Sequence, residues 1–107
     1  MRPIPPGAVA VIFVSQRSAA DPEGYAAAAV AMEAAAAAYP GYLGLYGTRG
    51  PDGLGVTVSY WVDEAAAQAW RDDAAHRAIR DRGRDIWYDW YDLQVATVTR
   101  AYDWKRV

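Results

Sequence analysis

A chain of 107 residues with a formal net charge of -2 amounts to a single small domain, with no field to draw nucleic acid or an acidic membrane. It has no cysteine, which removes disulfides and thiol chemistry, and its single histidine leaves few ways to hold zinc or a redox metal. Hydrophobic residues make up 53%, with five Trp and eight Tyr, a surplus that a small core cannot absorb alone, so a homodimer is expected.

Residues 1–7 are proline-rich and read as a tail ahead of a single domain, 8–107. They do not suit a signal peptide, and the apolar run Ala8 to Val14 meets Ser15-Gln16-Arg17 too early to span a bilayer. A soluble, cytoplasmic protein without membrane contact is expected. Ala8 to Arg17 is a strand by its length and β-branched content, and its apolar character on both faces makes it a central one.

Asp21-Pro22-Glu23 opens a helix with an Asp cap, Pro at the first position and an acid at the positive dipole end. The alanine run carries it to about Ala38, with Tyr25, Ala29, Met32, Ala36 and Tyr39 on one stripe, and Pro40-Gly41 stops it. Tyr42 to Thr48 and Leu54 to Trp61 are strands joined by the turn Arg49-Gly50-Pro51-Asp52-Gly53. A strand follows these glycines, not a helix, so they are not a phosphate loop. Asp63 caps a second helical region, Glu64 to Arg71, with a break at Asp72-Asp73 and helix again to about Trp90. Leu93 to Tyr102 is the last strand. The order β-α-β-β-α-β is the split-βαβ arrangement: helices cover one sheet face, and a second copy of the chain covers the other.

Within the second helical region His76, Ile79, Gly83, Ile86 or Trp87, and Trp90 share the stripe that faces the sheet. Arg80 stands one turn beyond His76, Gly83 suggests room on that face, and Trp70 and Trp87 bracket the imidazole in sequence. Two readings of His76 stay open, a base in a pocket and a core histidine satisfied by one hydrogen bond. The tryptophans divide in the same way between pocket wall and packing. Arg77, Arg80, Arg82 and Arg84 alternate with Asp81 and Asp85, which reads as an ion-paired solvated face instead of a phosphate-binding one.

The element order and the string Tyr60-Trp61, Asp63-Glu64-Ala65, Trp70-Arg71, His76-Arg77, Gly83-Arg84, Trp87-Tyr88, Tyr91, Val98 and Arg100 resemble the antibiotic biosynthesis monooxygenase family, from Ala8 to Tyr102. The resemblance implies a ferredoxin-like α+β protomer, a dimeric α+β barrel with the two sheets face to face, and a cavity between each sheet and its own helices. It also implies one of two activities. Some members oxygenate polycyclic phenols without metal or flavin, the substrate's own carbanion reducing dioxygen; others bind haem and open its ring. In the haem degraders an Asn, a Trp and a ligating His act together. Gln16 takes the Asn-like place here and Trp70 matches the Trp, but His76 comes one turn early, about 5.4 Å along a helix, and Arg80 occupies the ligand's place.

The leading expectation is thus a cofactor-independent monooxygenase for a small planar, ionisable aromatic. His76 is its base, Arg80 or Gln16 stabilises the oxyanion, and Tyr60, Trp70 and Trp87 hold the substrate. Haem binding and degradation is the first alternative. A non-catalytic dimer that binds a small ligand is the second.

Overall fold

The apolar run near the N-terminus forms the strand on which the rest is assembled. In the computed structural model, which describes residues 3–107, this is β1 (Val9–Arg17). There follow α1 (Pro22–Ala37), β2 (Tyr42–Arg49), β3 (Leu54–Trp61), α2 (Glu64–Asp72), α3 (Ala74–Arg82), one π turn (Gly83–Trp87) and β4 (Tyr88–Thr97). The strands pair antiparallel in the order β2-β3-β1-β4, so β1 is central, as its composition predicts. The protomer is ferredoxin-like.

The pleat assigns every side chain to a face. Val9 lies opposite Trp61 on β3 and Thr97 on β4, and Phe13 lies opposite Thr57 and Leu93. Val9, Val11, Phe13, Ser15 and Arg17 therefore share the face that Trp61 presents to the helices. Ala10, Ile12, Val14, Gln16 and Tyr60 share the other. Val9, Ala36, Trp61, Ala67 and Trp70 form the buried core, so α1 and α2 each offer an alanine where the indoles need room. On α1 the inward stripe is Tyr25, Met32 and Ala36, continued by Tyr39 just past its end; Ala29, expected on it, is exposed. The opposite sheet face keeps large apolar groups in the open, among them Tyr46, Leu54, Val56 and Trp90.

Acidic caps define the helices as their sequence suggests. Asp21 Oδ1 accepts the N–H of Gly24 at 3.1 Å, and Asp63 Oδ1 that of Ala66 at 2.9 Å. The expected break is present too, at Asp73, between α2 and α3. The last helix ends earlier than its aromatic stripe predicts. The Tyr88 N–H returns to the Gly83 carbonyl, closing a π turn, and Tyr88 is already extended, with φ -119° and ψ 137°. Tyr88, Trp90 and Tyr91 thus belong to β4, which starts five residues before Leu93 and stops at Thr97, short of Tyr102. Gly83 opens no hollow. A Cβ there would come 2.8 Å from the Tyr88 ring, which fills the space instead.

Candidate active site

The break at Asp73 organises the site. Asp73 has φ -58° and ψ 132°, which is not helical, and its own N–H reaches back to the Trp70 carbonyl at 3.2 Å. Its Oδ1 accepts the N–H of Ala75 at 3.0 Å and of His76 at 3.1 Å, starting α3. His76 then folds back, placing Nδ1 2.9 Å from the same Trp70 carbonyl oxygen and stacking its ring on the Trp70 indole, centroids 4.5 Å apart and planes 13° apart.

A carbonyl oxygen only accepts, so Nδ1 carries the hydrogen and Nε2 of the neutral ring holds the lone pair. Nε2 has no partner among the described residues. Burial pushes the imidazole below its ordinary pKa of 6.5; the bond to Trp70 opposes this, Arg80 adds to it and Asp73 counters it. The ring is therefore uncharged at neutral pH and keeps a basic nitrogen to spare.

Trp70 is held from several sides. It stacks on Trp61 at 6.0 Å and 23°, and Tyr39 meets it edge-on at 5.3 Å while donating from its hydroxyl to the Ala69 carbonyl. Arg80, one turn beyond His76, makes no hydrogen bond or ion pair with the described residues, and its Nε is buried without an acceptor. A buried guanidinium N–H without a partner is unusual enough to need an explanation. α3 makes its close approaches to α2, the π turn and α1. Leu93 and Val95, on the helix-covered face of β4 beside Phe13 and Val11, stay 53% and 49% exposed.

The remaining candidates lie elsewhere. Trp87 is buried on the helix side but at the far end, its Nε1 donating to Asp21 Oδ2 at 3.2 Å and its ring meeting Tyr25 edge-on; it does not meet His76. Gln16 and Tyr60 project from the opposite sheet face, because each is offset by one residue from the inward-facing positions of its strand. Gln16 Nε2 donates to the Asp52 carbonyl at 2.8 Å and ties the β2–β3 hairpin. Tyr60 lines a hollow of about 340 Å³ with Tyr46, Ile4, Val98, Arg100 and Tyr102. A second hollow, about 540 Å³, is an apolar groove along Tyr39, Pro40, Gly41, Val62 and the α2 alanines. Neither borders His76.

One cluster was not expected from the sequence. Arg49 crosses over β3 to β1, where Nη1 donates to the carbonyls of Ser15 (3.0 Å) and Gly53 (2.6 Å), and Nη2 to Ser15 Oγ (2.8 Å) and the Tyr25 hydroxyl (3.1 Å). Gly55 leaves room beneath it: a Cβ there would lie 2.6 Å from Arg49 Cζ, and the guanidinium would have to shift. Arg17 lies 4.1 Å over the Tyr25 ring and donates to the Trp87 carbonyl at 2.5 Å. Tyr88 closes the group, its hydroxyl pKa raised above 10.0 first by burial and then by Tyr25. The one sequence signal was Ser15, a hydroxyl ending an apolar run.

Comparison with known proteins agrees with this architecture. The family model described as antibiotic biosynthesis monooxygenase matches residues 8–82. YqjZ of Bacillus subtilis (strain 168), described as uncharacterized, is 44% identical over 91 residues, which is 85% of this chain and 79% of that protein. SnoaB of Streptomyces nogalater, described as a cofactor-independent oxygenase, matches with a TM-score of 0.74 at 14% identity, over 88% of this chain and 95% of SnoaB. A Mycobacterium tuberculosis protein matches at 0.74 and 16%, over 84% of this chain and 93% of its own. At these identities the two structures speak for the fold.

Proposed function

The chain belongs to the antibiotic biosynthesis monooxygenase family, and on that premise we propose that it is a small cofactor-independent monooxygenase acting, as a homodimer, on a planar ionisable aromatic. The observation that carries this reading is the neutral His76 ring with its hydrogen on Nδ1 and its Nε2 unused, one turn from a guanidinium whose buried Nε has no acceptor, both among the described residues. The SnoaB description supports the reaction class.

His76 Nε2 removes a proton from an acidic C–H or phenol of the substrate, a task suited to a base that is uncharged at neutral pH. Arg80 offers its N–H to the oxygen on which the resulting charge settles. The carbanion then reduces dioxygen and joins it; protonation gives a hydroperoxide, and loss of water leaves a carbonyl at the attacked carbon. Substrate electrons and one O₂ balance the step. Trp70 holds the imidazole flat, and the apolar strip Val11, Phe13, Leu93 and Val95 carries the substrate's rings. Trp87 is assigned to packing, Gln16 to the hairpin, and Tyr60, with the exposed apolar face around it, to the contact between protomers.

The residue at the family's expected haem-ligand position does not fit that role. The position where the family resemblance expects the ligand holds Arg80, which has no lone pair to give and keeps its positive charge.

Purified protein should consume oxygen with a panel of anthrones and hydroquinones, and His76→Ala should lower kcat/KM by about 10²–10⁴-fold. No consumption with any of them, or an unchanged rate in His76→Ala, sinks the reading. A Soret band on titration with hemin would favour the haem alternative, and a dimeric mass in light scattering would bear out the protomer contact.

A further inference from the structure

We propose that Asp73 is the positioning residue for His76, breaking the helix so that the Trp70 carbonyl receives the imidazole Nδ1–H and Nε2 is left for substrate. This deepens, and rests on, the reading of His76 as the base, although its structural core can be tested without any substrate.

The argument is hydrogen-bond accounting. In an unbroken helix the Trp70 carbonyl would accept the N–H four residues on, that of Ala74, and its lone pairs would point along the axis. Residue 76 would stand about 9 Å further along the axis and about 120° around it from residue 70. At ψ 132° Asp73 turns the chain out of the helix, and the carbonyl takes the Asp73 N–H at 3.2 Å and the His76 ring at 2.9 Å instead. The same residue restarts the helix, its carboxylate holding the N–H groups of Ala75 and of His76 itself. One side chain thus frees the acceptor, anchors the backbone of the histidine and sets how far its ring reaches back. The charged groups that act on the ring are Asp73 itself and Arg80 on α3; α2 contributes Trp70, which is neutral.

Any good cap could start α3, so the proposal must predict more than stability. Asn caps as well as Asp, and Asp73→Asn should keep the break and the tautomer. Ala caps poorly and favours helix, so Asp73→Ala should let α2 and α3 join, hand the Trp70 carbonyl to Ala74 and release the ring.

The single histidine gives one set of ring signals in nitrogen NMR of histidine-labelled protein, which reads the tautomer directly. The expected result is Nδ1–H, hydrogen-bonded, in the unmodified protein and in Asp73→Asn, with Asp73→Ala shifting to the Nε2–H form that free histidine favours. With an active substrate in hand, kcat of Asp73→Ala should fall about 100-fold, as for a misplaced catalytic group, while Asp73→Asn stays within a few-fold. An Nε2–H ring in the unmodified protein overturns the proposal, and so does an Asp73→Ala protein that keeps Nδ1–H. If Asp73→Ala does not fold, the unmodified protein decides: a coupling from Nδ1–H to the Trp70 carbonyl supports it, and Nε2–H overturns it. Absence of oxygen consumption would defeat the proposed reaction and leave the tautomer result standing.

Discussion

Around Arg49, at one end of the helix-covered face, both terminal guanidinium nitrogens donate to two acceptors each. Around His76 and Arg80, at the other, an imidazole nitrogen and a buried guanidinium N–H have none among the described residues. Both ends bring together an arginine and aromatic rings, Arg49 with Tyr25 and Tyr88, and Arg80 one helical turn from the Trp70–His76 stack. They differ in what is left unsatisfied. A saturated network fixes the ends of β1, β2 and β4 and has no valence to offer a ligand. An arrangement that keeps donor and lone pair in reserve contributes less to the fold and is the one that can act on something else. Leftover hydrogen-bonding capacity, more than the presence of polar residues, distinguishes the two.

The largest expected effect comes from removing the ring that underlies the His76 end. Trp61 is fully buried, stacks on Trp70 and donates from Nε1 to Ser59 Oγ at 3.0 Å. Trp61→Ala should cost about 3–5 kcal/mol in urea unfolding, a large share of a small domain's stability. It should also loosen the Trp70–His76 stack. If the His76 ring signals stay unchanged while stability falls by that amount, the imidazole is positioned by Asp73 and Trp70 alone.

Much of this was legible in the chain. The element order, the Asp21 and Asp63 caps and the break at Asp73 follow from local rules, because a cap or a β-branched run acts over a few residues. The end of the last helix did not, since Trp87, Tyr88, Trp90 and Tyr91 suit a helical stripe and a strand alike; the ring of Tyr88 over Gly83 settles it, and that is a tertiary contact. Nor did the faces. Alternation shows that Gln16 and Ser15 diverge, but which of them lies under the helices depends on Trp61 and Trp70 packing there. Arg49 escaped for the same reason: Ser15 on β1, which supplies two of its four acceptors, is thirty-four residues away and is brought near only by the sheet.

Next in size is the saturated end. Arg49→Met keeps the length of the side chain but leaves Ser15 Oγ and the Tyr25 hydroxyl without their donor, at about 1–3 kcal/mol. Oxygen consumption should hardly change. A loss of activity matching that of His76→Ala would mean that the two ends are one site, and the contrast would fail.

The smallest effects separate the ends by pH. The His76 ring, pushed below 6.5 chiefly by burial, stays neutral in the folded protein under conditions where the unfolded chain takes up a proton. Unfolded chains then bind more protons, so stability is full above about pH 6.5 and is lost as pH falls through the folded value. Tyr88 works in the other direction. Its hydroxyl, raised above 10.0, keeps its proton in the folded state while the unfolded chain gives one up, so stability is full below that pH and is lost above it. Urea midpoints measured across pH should therefore fall at both extremes. His76→Gln should flatten the acid side alone and Tyr88→Phe the alkaline side alone. If either substitution flattens both sides, the ends are coupled through the sheet, and the division between a saturated anchor and a reserved site is drawn in the wrong place.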